Sequence, residues 1–171
     1  MPGSATRPLF SRPSRRPSAL VGVPAGLVAG IAYLLAQGLY ATALLHGSGS
    51  EPFQRIAAML LGPDAAPPPA EWTSRAVGIA LIIHLPLSAI YGRLIDMLVM
   101  CVDNMGAAGL LGGIAGAVLY ILNRCVIAPL VFPWFDASRT LMTAADHVLF
   151  GVIAGLVCLT LRRHLVARRL L

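Results

Sequence analysis

The sequence predicts an all-α membrane protein with four transmembrane helices, as its composition, its apolar runs and the placement of its charges all indicate. Of the 171 residues, 57% are apolar and 12% are charged, whereas about a quarter of the residues in a soluble domain are charged. The mean hydropathy is +0.79. Four apolar runs are long enough to cross a bilayer, which takes roughly 20 helical residues. The net charge of +6 is concentrated at the two ends of the chain.

Each apolar run predicts one spanning helix. The runs cover residues 19–45, 76–102, 107–132 and 141–161. At about 1.5 Å per residue, each run covers a hydrocarbon core of about 30 Å. The chain is therefore predicted to have one transmembrane domain over residues 19–161. A disordered basic tail over 1–18 precedes this domain, and a basic tail over 162–171 follows it.

The positions of the arginines predict the orientation of the chain. Arginines cluster before the first span and after the last: Arg7, Arg12, Arg15, Arg16, Arg162, Arg163, Arg168 and Arg169. Such clusters usually face the cytoplasm, and an even number of spans allows both ends to do so. We therefore expect a bacterial inner-membrane protein with both termini in the cytoplasm. Nucleic acid is not an expected partner, because no recognisable binding module accompanies the arginines.

The two outer loops carry features typical of a membrane surface. In the first, apolar residues recur at helical spacing, with Gln54 and Arg55 on the other face, which predicts a short interfacial helix. Its apolar residues are Phe53, Ile56, Ala57, Leu60 and Leu61. A stiff connector over residues 67–69 and Trp72 follow. The second loop contains Phe132-Pro133-Trp134-Phe135, so both loops have aromatic residues suited to the headgroup level.

Few other residues indicate a catalytic or metal-binding role. Cys101, Cys125 and Cys158 lack the spacing of a disulfide framework or a zinc site. No phosphate-binding loop, nucleophile elbow or zinc-protease motif occurs, so we expect no enzymatic activity. Arg93 and Asp96, near the inner end of the second span, fit a surface pair of the i,i+3 type.

The first two spans and the last two share a pattern, which predicts two duplicated helical hairpins. Gly26, Gly30 and Gln37 of the first span have counterparts at the same spacing in the third, namely Gly112, Gly116 and Asn123. The second and fourth spans correspond in the same way, with His84, Ser88 and Gly92 matching His147, Gly151 and Gly155. Hairpins in the same orientation would be related by a pseudo-twofold axis along the membrane normal.

These glycines predict close helix packing. Gly26 with Gly30, Gly112 with Gly116, and Gly151 with Gly155 each lie one turn apart on one helix face. Small faces let helices approach closely in lipid. Because one small bundle does not obviously need so much glycine surface, we also expect a homo-oligomer or a larger membrane partner.

Polar residues on four spans are predicted to converge in one layer, about 6–13 Å below the outer boundary. They are Gln37, Tyr40, His84, Asn123, Arg124, Asp146 and His147. Two interpretations remain open. The layer is either a buried structural cluster, in which Arg124 pairs with Asp146, or a vestibule for a small solute, an ion or a proton. The second predicts passage of that solute through an oligomer, and the first predicts a structural or accessory subunit.

A third interpretation treats His84 and His147 as axial ligands of haem b, in an electron-transfer protein. The repeat places both at similar depth, and Ser88 and Gly151 beside them are small. Axial ligation needs little sequence signature. We expect no other cofactor or metal.

Three stretches of the sequence carry a family resemblance: residues 123–129, the Phe132 to Phe135 stretch with Arg139, and His147-x-x-Phe150-Gly151. They resemble a family of small four-span bacterial inner-membrane proteins of unknown activity, often labelled sodium:proline symporter-like. The resemblance covers nearly the whole hydrophobic part of the chain, with the Pro-rich first outer loop. It includes His84 with Tyr91-Gly92 but neither charged tail. Arg124 departs from the family, in which an aromatic residue commonly follows the asparagine. A more distant likeness is to YagU-like inner-membrane proteins.

Overall fold

A computed structural model describes residues 16–65, 74–132 and 140–170 of the chain. The helices are α1 (Ala19–Ala43), α2 (Glu51–Leu61), α3 (Ser74–Val99), α4 (Met105–Val131) and α5 (Leu141–Leu170), with a 3-10 turn at Pro63–Ala65 after α2. No strand occurs in the described ranges. Helices α1, α3, α4 and α5 are long and apolar enough to cross a membrane. The predicted fold class is therefore confirmed, including the short helix between the first two spans.

Local sequence explains where several helices begin and end. The Asn104 side chain caps α4 by accepting a hydrogen bond from the backbone N–H of Ala107 at 2.7 Å. Helix α2 has Pro52 in its first turn, where a missing N–H costs nothing. It ends at Gly62, whose φ of +90° favours glycine. These signals isolate α2 as a separate short helix.

Helices α1 and α3 form one tightly packed pair. A Cβ on Gly26 would overlap the backbone of Ser88 and Gly92, and one on Gly22 would lie 2.8 Å from Cα of Arg93. Only glycine permits this approach, because any side chain would push the helices apart. The two helices are therefore in backbone contact over several turns.

Helices α4 and α5 form the second pair with the same contacts. A Cβ on Gly112 would overlap the backbone of Gly151 and come within 3.3 Å of Cα of Gly155. Under the predicted repeat, these residues correspond to Gly26, Ser88 and Gly92. The two hairpins therefore pack their helices in the same register, as the duplication predicts.

The glycine faces are used inside one chain. Besides the two pairs above, Gly109 and Gly113 of α4 face the Leu156 and Val152 side chains of α5. The glycine surface is therefore not an argument for an oligomer. A homo-oligomer or a larger membrane partner stays a prediction.

The two pairs join mainly where α1 packs against α5, with an apolar core between them. Fully buried core side chains include Val21, Ala25, Ala29, Ile95, Ala154 and Cys158. Large apolar side chains also cover the outside of the bundle. Leu20 is 75% exposed, Ile82 73% and Leu130 79%. Such a surface suits lipid as the surrounding solvent.

The structure corrects two details. Helix α5 does not end with the apolar run at residue 161 but continues to Leu170, so the basic residues from Arg162 onward belong to the same helix as the last span. In α2, Ala57 is buried and Phe53 and Ile56 pack on the core as predicted, but Gln54 is buried and Leu60 is 71% exposed. The connector over 67–69, Trp72, residues 133–135 and Arg139 lie outside the described residues.

Candidate polar site in the membrane

The bundle has two ends with different polar structures. The α2 end lies beneath helix α2, and the termini end holds Arg16 and the last turns of α5. Arg162 of α5 donates a hydrogen bond to the Arg16 carbonyl at 3.0 Å, so both ends of the described chain lie at the termini end. The residues predicted to form a polar layer belong to the α2 end.

Tyr33 contacts both of the predicted histidines in this layer. Its ring centroid is 5.5 Å from that of His84 and 5.2 Å from that of His147, the latter in an edge-on arrangement. Tyr33 is almost fully buried. The sequence analysis missed this residue, although it follows Gly26 and Gly30 at helical spacing and precedes Gln37 by one turn. That spacing was the signal that could have identified it.

Each histidine donates a hydrogen bond to a backbone carbonyl. The Nε2 atom of His84 is 3.0 Å from the Gly30 carbonyl oxygen, and Nδ1 of His147 is 2.7 Å from that of Thr143. Since a carbonyl oxygen only accepts hydrogen bonds, Nε2 of His84 and Nδ1 of His147 must each carry a hydrogen. His84 thereby links α3 to α1, whereas His147 bonds within α5.

The Asp146 carboxylate accepts a hydrogen bond from the Gln37 side-chain amide. Asp146 is nearly fully buried, at 3% exposure. The hypothesis that it pairs with Arg124 is therefore corrected, because Gln37 of α1 holds the carboxylate instead. Arg124 lies beside the Tyr33 hydroxyl.

Asn123 and Arg124 occupy a widened turn of α4. Residues Ile121–Ile127 adopt π-helical geometry, and the Ala128 N–H donates to the Asn123 carbonyl. Pro129 follows directly; because it has no N–H, it cannot continue the α-helical ladder. Within the π segment, the Asn123 side-chain oxygen accepts a hydrogen bond from the Tyr91 hydroxyl of α3 at 2.7 Å. Such widened turns are frequent at functional sites.

Two cavities open on either side of Arg124. The first, of about 210 Å³, is polar and is lined by Gln37, Tyr40, Glu51, Arg55, Arg124, Thr140 and Thr143 among others. The second, of about 220 Å³, is more apolar and is lined by Tyr33, Tyr91, Asn123, Arg124 and His147 with apolar neighbours. Helix α2 contributes to both walls and covers the layer. All seven predicted polar residues thus lie in or beside this region.

At the termini end, a single buried carboxylate joins three helices. Asp96 of α3 has no exposed surface. It accepts hydrogen bonds from the Ser18 N–H at 2.8 Å and from Arg93 at 3.2 Å, and it forms an ion pair with Arg162. We call this group the Asp96 cluster. The predicted i,i+3 pair of Arg93 and Asp96 is confirmed, but it is not a surface pair, because the start of α1 and the extension of α5 cover the carboxylate.

Within the described residues, no group of three or more histidine, cysteine, aspartate or glutamate side chains could hold a metal ion. All three cysteines are free thiols, with Cys158 buried and Cys101 and Cys125 exposed. The polar layer presents hydrogen-bonding side chains and the Arg124 guanidinium group to the two cavities.

No family model, curated protein or solved structure matches this chain. The family resemblance seen in the sequence stays a prediction. The class of protein follows from the fold itself. With four long apolar helices and an apolar exterior, this is a multi-pass integral membrane protein.

Proposed function

We propose that the protein binds a small anionic or zwitterionic solute at the α2 end, as the entry step of solute passage across the membrane. The observation that carries this proposal is the position of Arg124, which lines both cavities within the polar layer. Charged side chains are costly inside a membrane and usually mark a site of function.

The lining of the polar cavity favours an anion. Arg55 and Arg124 provide two guanidinium groups, and Tyr40, Thr140 and Thr143 provide hydroxyl donors. The one carboxylate in the lining, Glu51, forms an ion pair with Arg55 at 3.4 Å. Guanidinium groups recognise carboxylates and phosphates through paired hydrogen bonds. A cavity of about 210 Å³ is large enough for a carboxylate of a few carbon atoms.

Passage needs more than one chain in this proposal. Beyond the polar layer, the two glycine-packed helix pairs and the apolar core around Ala29 and Phe150 fill the bundle. We propose that the route continues between subunits of an oligomer. With both termini in the cytoplasm of a bacterial inner membrane, the cavities open toward the outer face.

A binding titration tests this proposal. The full chain in lipid nanodiscs is titrated with acetate, glycine and inorganic phosphate by calorimetry. We expect Arg124→Gln to weaken binding at least about tenfold, since a hydrogen bond to a charged group contributes about 1.5–3 kcal/mol. Arg75→Gln is the matched control, because Arg75 is exposed at the same end outside both cavities. Equal binding by the wild type and Arg124→Gln would contradict the proposal.

A structural or accessory role is the second candidate, and the mutual hydrogen bonding of the layer favours it. Gln37 bonds to Asp146, Tyr91 to Asn123, and His84 to the Gly30 carbonyl. Intramembrane hydrogen bonds commonly hold helices together. This candidate predicts that Gln37→Leu lowers bundle stability without affecting any solute binding, and that the chain copurifies with a larger membrane partner.

The position of Tyr33 counts against the haem alternative. A haem held by His84 and His147 would need its macrocycle against both imidazoles, where the Tyr33 ring already packs. A reduced-minus-oxidised absorption spectrum of the protein purified in mild detergent checks this. A b-type signal that disappears in His84→Ala would restore the haem hypothesis.

A further inference from the structure

A third cavity lies at the termini end, between the start of α1 and the last turns of α5. Its volume is about 240 Å³, and it is lined by Arg16, Pro17, Ser18, Val21, Arg162, Leu165 and Val166. Two guanidinium-bearing residues thus share a cavity with apolar side chains. Because α1 begins at Ala19, the cavity lies at the boundary of the membrane-spanning region.

The Asp96 cluster holds Arg162 in the wall of this cavity and determines the charge of the cavity. Arg162 is held by the Asp96 carboxylate on one side and by the Arg16 carbonyl, at 3.0 Å, on the other. Asp96 also bonds to Arg93, so one carboxylate balances only one of two guanidinium charges. Arg16 adds a further cation at the rim. The cavity therefore has an excess of positive charge.

The surface next to this cavity also combines cationic and apolar side chains. Leu165 also lines an adjoining cavity on α5, together with Leu161, His164 and Arg168. Arg163 and Arg168 are exposed nearby, whereas the described acidic residues at this end are the buried Asp96 and the exposed Asp103. Cationic groups beside apolar side chains at the membrane boundary match a lipid with an anionic headgroup and acyl chains.

We propose that this cavity, named here the Arg16–Arg162 cavity, is a binding site for an anionic phospholipid. The phosphate accepts hydrogen bonds from the two arginines, and an acyl chain lies along Val21, Leu165 and Val166. Arginine suits this role because its planar guanidinium group matches phosphate geometry. The apolar lining favours a lipid over a free anion, which would leave these side chains without a partner.

Native mass spectrometry of the full chain tests the site. Phosphatidylglycerol and phosphatidylcholine with the same acyl chains are added separately to the protein in detergent. We expect a preference for phosphatidylglycerol that Arg16→Gln lowers about fivefold, since one arginine near an anionic surface contributes about that factor. Arg16→Gln keeps the backbone carbonyl that holds Arg162, so the Asp96 cluster stays intact. Arg75→Gln removes the same charge at the α2 end and should leave the preference unchanged.

Two further measurements distinguish the sources of binding. Leu165→Trp fills the cavity without changing its charge, and we expect it to reduce lipid binding as much as Arg16→Gln does. Inorganic phosphate added in excess should not displace the lipid. Displacement by phosphate would show a free-anion site, and equal loss in Arg16→Gln and Arg75→Gln would show general attraction to charge. Either result would overturn the proposal.

Discussion

The two ends of this bundle contain buried polar groups that are organised in opposite ways. At the α2 end, side chains from all four spanning helices form a layer linked largely by hydrogen bonds, with cavities on both sides of Arg124. At the termini end, the single carboxylate of Asp96 binds α1, α3 and α5 through charge. At the α2 end the cavities lie beside the hydrogen-bonded layer itself, whereas at the termini end the Asp96 carboxylate is fully enclosed and the Arg16–Arg162 cavity lies on the far side of Arg162.

This difference separates two uses of polarity in lipid. A fully enclosed charge is retained when its partners are fixed, since removing one partner leaves an uncompensated charge. A layer of hydrogen bonds next to cavities can exchange partners with a solute at lower cost, because each bond contributes little. We therefore assign the Asp96 cluster mainly to holding the bundle and the polar layer to binding.

Removal of the Asp96 charge should have the largest effect on stability. Asp96→Asn leaves Arg93 and Arg162 without a counter-ion and should lower the free energy of unfolding by about 3 kcal/mol. Asp103→Asn, an exposed position at the same end, makes the same charge change and should cost less than about 1 kcal/mol. Unfolding in mixed detergent micelles measures both. If the two variants were equally stable, the Asp96 cluster would not hold the bundle.

The helix packing between the two ends should give the next largest effect. Gly112→Ala places a Cβ against the Gly151 backbone and should cost about 1–3 kcal/mol, as overpacking does. Gly26→Ala should cost a similar amount, because its contacts with Ser88 and Gly92 are the repeat equivalents. Gly78→Ala is the control, since nothing lies within 4 Å of its Cβ position. A large loss of stability in Gly78→Ala, without one in Gly112→Ala or Gly26→Ala, would refute the glycine contacts described above.

A single hydrogen bond of the polar layer should have the smallest effect. Tyr91→Phe removes the 2.7 Å bond to Asn123 and should lower the unfolding free energy by about 0.6 kcal/mol, the average for such bonds in membranes. The same detergent unfolding assay applies. A loss as large as that of Asp96→Asn would remove the contrast between the two ends and favour the structural role for the layer.

Sequence reasoning could reach the fold because lipid imposes simple rules. The four apolar runs and the amphipathic pattern at residues 53–61 predicted the spans and the short helix, and both are confirmed. The matching spacing of Gly26 and Gly112 predicted a duplication, and the corresponding glycine contacts follow it. These features depend on periodicity along one segment, which a sequence displays directly.

The missed features depend on contacts between segments. Arg93 and Asp96 fit an exposed pair because nothing in α3 shows that α5 continues beyond residue 161 and brings Arg162 to the carboxylate. Likewise, Asp146 binds Gln37 instead of the expected Arg124, because the partner depends on helix rotation and on the π segment of α4. Tyr33 was not predicted, because its contacts with His84 and His147 depend on how α1 packs against α3 and α5.

The most direct test of the proposed binding role is the unfolding midpoint measured with and without a small anion. A ligand that binds the folded state raises stability in proportion to the logarithm of its concentration over Kd. We predict that acetate, glycine or inorganic phosphate raises the midpoint of the wild type and of Arg75→Gln, but not that of Arg124→Gln. An equal shift in Arg124→Gln, or no shift in the wild type with any of the three, would contradict a binding site at the α2 end.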